Sequence, residues 1–159
     1  MRAIEIAISK YRDDLAKSGN KEVTQRFGKY DFNNTYSGYV HEALEAFTGN
    51  KTQDVIFKDG VAGVNINNEF VTINKENLPK LRRIPLKLPS SVENLNMLKQ
   101  YGDDVVIYKG MNQHAYNIEF GEQTSLDIHE PWNSQNTEKF TPEEIVANKF
   151  NDFFDIMFL

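Results

Sequence analysis

The feature that most limits what this chain can become is the alternation over residues 114–120. His114, Tyr116, Ile118 and Phe120 fall on one side, and Ala115, Asn117 and Glu119 on the other. That is the period-two pattern of a strand with one face in a core. A short apolar run from Asp104 to Tyr108 precedes it and reads as a buried strand. Gly121-Glu122 follows with glycine first, as a type II′ two-residue hairpin loop requires. Thr124 to Ile128 is then the returning strand. In that register Phe120 faces Gln123, Tyr116 faces Asp127 and His114 faces His129. Asp127 is diagonal to His114, at roughly 7–8 Å between backbones and within reach of an imidazole. A carboxylate that orients an imidazole is half of a nucleophilic-catalysis constellation. A histidine that merely fills the edge of an apolar face is the competing reading.

Around this hairpin the chain reads as one α+β domain over residues 1–159. Ile4, Ile8, Tyr11 and Leu15 recur at helical spacing, which predicts an amphipathic helix over residues 2–17. A second helix opens near Asn34-Thr35, buries Val40, Ala43, Leu44 and Phe47, and stops at Gly49. His41 and Glu45 in it form an i, i+4 pair read as solvated, because a zincin pattern would need a second histidine at position 45. Three strands are expected over 54–58, 61–66 and 69–73, separated by the turn dipeptides Asp59-Gly60 and Asn67-Asn68. Residues 78–89, with three prolines, read as an extended connector whose basic residues are solvated. Ser90 is the expected cap of a short helix ending near Gln100. After Trp132 a polar loop leads to Thr141-Pro142-Glu143-Glu144, a capping box with proline at N1. A C-terminal helix carrying Val146, Phe150, Phe153 and Met157 is expected to follow. Its apolar end, Phe158 and Leu159, either docks into the core or meets a partner.

Composition narrows the function classes. A net charge of −5 and no basic run longer than Arg82-Arg83 argue against a nucleic-acid face. No apolar run approaches the roughly 20 residues of a membrane span. The early charges at Arg2 and Glu5 do not fit a signal peptide, so cytoplasmic synthesis is expected, with specialised export leaving no readable mark. Abundant Asn and Lys hint at an AT-rich genome such as a phage or mobile element. The chain contains no cysteine. Disulfides, Cys-ligated zinc and a thiolate nucleophile are thereby excluded for this sequence. No cofactor and no metal are expected.

Tyr36-Ser37-Gly38-Tyr39-Val40, followed by Ala43-Leu44, resembles the Asp-Cys-Ser-Gly-Phe-Val box of NlpC/P60-type cell-wall amidases. Gly102-Asp103-Asp104-Val105-Val106 is similar to the Gly-Asp-aliphatic strand that precedes their histidine strand. His114-Ala115-Tyr116 with Pro131-Trp132 is similar to calpain-type and toxin-type papain folds. The resemblance covers residues 34–46 and 102–132. It implies a papain-like arrangement, with an antiparallel sheet packed on an N-terminal helical part. It also implies a nucleophile at a helix start, where the dipole lowers its pKa, and a histidine base oriented by an Asp, Asn or second His.

Carried onto this chain, the resemblance makes Ser37 the nucleophile, His114 the base, and Asp127 or His129 the orienting group. The backbone around Gly38 would stabilise the oxyanion. The family's cysteine falls on Tyr36, or on Ser37 after a one-residue shift. Tyrosine there predicts a dead enzyme; serine predicts a weak or substituted nucleophile. The expectation is therefore an amide-hydrolase-related domain with impaired or absent catalysis, acting on or binding a peptide or protein. The alternative is a non-catalytic interaction module, such as an immunity protein or phage-encoded inhibitor, that binds one partner through Phe158 and Leu159.

Overall fold

A computed structural model describes residues 35–111, 114–121, 124–130, 133–148 and 151–159, with positions 4, 8 and 10. For residues 35–39, 114, 130 and 133–136 it describes the backbone alone. Among the described residues ten strands form two sheets. The large sheet has the order β1-β5-β10-β6-β7-β8-β9 and the small one β2-β3-β4. The larger comprises β1 (Gln53–Asp54), β5 (Leu86–Pro89), β10 (Phe153–Phe158), β6 (Val105–Met111), β7 (His114–Phe120), β8 (Leu126–Glu130) and β9 (Asn133–Phe140). Its strands pair antiparallel except β1 with β5.

The alternation of the strands divides the core between the two faces of this sheet. Ile107, Ile118, Leu126, Ile128, Phe154, Ile156 and Phe158 point to one face. There they meet α3 (Val92–Leu98), α4 (Pro142–Ala147) and the small sheet through Leu95, Leu98, Ile145, Val64 and Val71. Val106, Tyr108, Ala115 and Met157 point to the opposite face, against α1 (Thr35–Thr48) and Ile4 and Ile8. The fold is thus mixed α and β, with helices on both sides of a mostly antiparallel sheet.

The small sheet follows its sequence except at its start, where the expected 54–58 strand is split and Gln53–Asp54 joins the large sheet. β2 (Ile56–Lys58), β3 (Val61–Ile66) and β4 (Glu69–Thr72) are joined by Asp59-Gly60 and Asn67-Asn68. All four turn residues have positive φ, the type I′ signature that matches strand twist. The expected helix stop also holds: Gly49 has φ +75° and its N–H donates to the Glu45 carbonyl. Thr141 and Glu144 close a full capping box with Pro142 behind the cap. The neighbouring cap is Ser91 rather than Ser90, its hydroxyl accepting from the Asn94 N–H.

Four expectations are corrected. Residues 153–158 are a strand, not the rest of a helix, and β10 sits between β5 and β6, while Phe150 lies outside the described residues. Residues 154–158 are all buried, which a central strand permits because both its faces are covered. The 78–89 connector contains a short helix, α2 (Leu78–Leu81), and β5, with Leu81, Leu86 and Leu88 fully buried. The polar stretch after Trp132 is β9, the last strand of the sheet among the described residues, where a polar sequence suits one solvated side. The hairpin loop spans five residues, 121–125, because Phe120 pairs with Leu126 and Ile118 with Ile128. That register buries Leu126 and Ile128 on the apolar face, where a two-residue loop would have left them among Asn117 and Glu119.

Candidate functional site

The seam between α1 and the large sheet is closed by apolar side chains, with one polar line beneath them. Val40, Ala43 and Leu44 recur at helical spacing and are almost wholly buried on β6 and β7. Burial of this stripe, at about 25 cal/mol per Å² of apolar surface, is what holds the helix down. Across the sheet below it, Lys87, Asp155, Tyr108, Asn117, His129 and Thr137 are successive ladder partners on six adjacent strands. Directly paired residues point to the same face, so these six make a polar rung running from beneath α1 to the sheet edge.

At the helix end of the rung, His41 comes down from α1 to Asp155. Nδ1 of His41 lies 2.7 Å from Oδ1 of Asp155, and the two side chains are 7% and 2% exposed. The ring N–H does not point along that line, so the contact is an imidazole–carboxylate approach rather than a linear hydrogen bond. Phe153 stacks on the imidazole at 5.3 Å between centroids, and Lys87 Nζ lies 4.8 Å from the Phe153 ring centre. Among the described residues His41 Nε2, Asp155 Oδ2 and Asn117 Oδ1 have no hydrogen-bond partner. An imidazole set against a carboxylate is the pairing an oriented base uses. Here the group is sealed from solvent.

The opposite end of the rung is open. His129, 16% exposed, lies between two neighbours: Glu119 Oε2 is 3.4 Å from Nε2, and Thr137 Oγ1 is 3.1 Å from Nδ1. Glu119 is diagonal to it on β7, and Thr137 is its direct partner on β9.

The residues singled out from the sequence are not gathered in one place. Ser37 and Gly38 lie in the first turn of α1, and their side-chain surroundings fall outside the described residues. His114 opens β7 opposite Met111. Asp127 pairs with Glu119, five residues further along β7, or about 17 Å of strand. Its carboxylate instead sits against the loop, 3.0 Å from where a Cβ on Gly121 would stand. His129 pairs with Asn117, three residues along from His114. The expected His114/Asp127 pair is therefore not formed, because the hairpin register differs by three residues. Phe158 is fully buried, which removes it as a partner-binding residue; Leu159 is 39% exposed. Residues 131 and 132 lie outside the described residues, as does most of the expected first helix.

His41 and Asp155 were missed, and each carries a signal. His41 lies beside the apolar stripe, three residues before Leu44, which puts it on the shoulder of the buried face rather than with solvent. Asp155 is an acid inside Phe153-Phe154-Asp155-Ile156-Met157-Phe158, a run too apolar to leave it exposed in a central strand. Among the described residues no three His, Asp or Glu side chains converge as a metal would need. Comparison with known protein families, curated proteins and solved structures gives no match for this chain.

Proposed function

We propose that this chain is a relative of papain-like amide hydrolases that binds a peptide or protein without turning it over. The observation that carries the reading is α1 seated on β6 and β7 by Val40, Ala115, Val106 and Tyr108 in one apolar cluster. The resemblance asks for a helix, a Gly-Asp-aliphatic strand and a histidine strand in that order, and the packing of α1 on β6 and β7 supports it. Two facts favour a non-hydrolytic form. No cysteine is present to attack a carbonyl. Asp127 is also too far along the sheet to orient His114.

The test restores the missing group. In this reading Tyr36→Cys places a thiol at the start of α1, where the helix dipole and His114 favour the thiolate. It is expected to react with iodoacetamide at neutral pH at least ten times faster than a cysteine placed at exposed Lys80. His114→Ala should remove that advantage. Equal rates at the two positions would overturn the proposal. The competing reading, an interaction module with an apolar terminal patch, loses Phe158, whose ring is packed against Tyr101 inside the core.

A further inference from the structure

We infer that Thr137, His129 and Glu119 form a reactive site of their own, in which the Thr137 hydroxyl accepts an acyl group from a small activated ester. The inference does not rest on the papain-like reading. His129 lies three strand spacings from Asp155, about 14 Å across the sheet, and on a strand that α1 does not need for its seat.

A cross-strand His–Thr pair alone would be an ordinary sheet contact. Here a third group completes the order hydroxyl, imidazole, carboxylate: 3.1 Å from Thr137 Oγ1 to Nδ1, then 3.4 Å from Nε2 to Glu119 Oε2. With its proton on Nε2, the ring faces Glu119 and presents Nδ1 as the acceptor of the Thr137 proton. Exposure is graded in the useful direction. The imidazole is 16% exposed and held on both sides, whereas Thr137 is open to solvent. Thr137 also lies on β9, the last strand of the sheet among the described residues. Lys139 lies two residues on along the same face of β9, where a cation meets the negative charge that develops on an attacked carbonyl oxygen.

The step balances without a further reactant. Thr137 Oγ1 bonds to the carbonyl carbon while its proton passes to His129 Nδ1. The ester C–O bond breaks, the alkoxide or phenolate leaves with the electron pair, and the Nδ1 proton passes to it or to solvent, which restores the neutral ring. In the return step water attacks the acyl carbon and its proton passes to Nδ1. The Thr137 ester bond breaks, the threonine oxygen takes the proton back from Nδ1, and the carboxylic acid leaves.

The test uses the full chain with p-nitrophenyl acetate, read by nitrophenolate release and by peptide mass mapping. Thr137 is expected to carry one acetyl group ahead of every other hydroxyl in the chain. Thr137→Ser should retain the label and Thr137→Val should lose it. His129→Phe should lower the Thr137 labelling rate at least tenfold, and Glu119→Gln several-fold. Circular dichroism checks that each variant is folded; Glu119→Gln, on a half-exposed side chain, stands in if His129→Phe is not. Acetyl groups confined to lysines, or Thr137 labelling indifferent to His129 and Glu119, would overturn the inference.

Discussion

Asp155, in the middle of the large sheet, meets His41 of the helix above it at 2.7 Å, with both side chains nearly sealed from water. This contact ties α1 to the sheet alongside the apolar packing of Val40, Ala43 and Leu44. Removing one partner strands the other in an apolar seam. His41→Leu is expected to lower unfolding free energy by about 3–5 kcal/mol. The double variant His41→Leu/Asp155→Leu should recover most of that loss, because a well-packed apolar pair needs no desolvation. Urea denaturation of the two single variants and the double variant checks this; a double variant less stable than both singles would contradict it.

Phe158 behaves as core, not as a docking residue. Its ring meets Tyr101 edge-on at 5.2 Å between centroids, and its carbonyl accepts from the Arg83 N–H. Phe158→Ala is expected to cost about 3–5 kcal/mol, measured as a fall in the denaturation midpoint. A change confined to partner capture, with stability intact, would return the residue to the surface.

Tyr101 sets the alkaline limit of this region. Burial pushes its phenol above the ordinary value of 10.0. The folded state therefore holds that proton more tightly than the unfolded state does. The stabilisation is complete below the unfolded pKa and is lost as pH rises from about 10 through the raised folded value. Tyr101→Phe should flatten the alkaline limb of stability against pH. It should cost little near neutrality, since the Tyr101 hydroxyl donates only a long 3.4 Å bond to the Ile73 carbonyl. Melting temperatures taken between pH 8 and pH 11 report both effects.

Thr141 holds the start of α4 by accepting from the Glu144 N–H, while the Glu144 carboxylate accepts from the Thr141 N–H. Thr141→Ala should cost about 1 kcal/mol. Thr141→Ser should cost much less, and chemical denaturation separates the two.

These elements differ in how far the sequence reveals them, for physical reasons. The type I′ turns, the Gly49 stop of α1 and the Thr141 cap depend on neighbours within a few residues, so local chemistry specifies them. The hairpin register depends on which faces Leu126 and Ile128 occupy. The Gly121-Glu122 dipeptide draws attention to a shorter loop, while the alternation of β8 itself selects the longer one. β10 is harder. Val146, Phe153 and Met157 fit a helical stripe, and only burial on both faces makes Phe153–Phe158 a strand. The candidate site was the least legible part. His41 and Asp155 lie 114 positions apart, and no local pattern announces that they touch.

The position of β10 also orders assembly in time. It follows every other strand in the chain, yet it lies between β5 and β6 and pairs Leu88 with Phe154. Until Phe153–Phe158 has left the ribosome, β1 and β5 cannot join β6 through β9, and each group keeps a raw edge. Loop closure over such separations is slow. A nascent chain halted before residue 153 would be two half-sheets open to intermolecular pairing, a natural client for a chaperone.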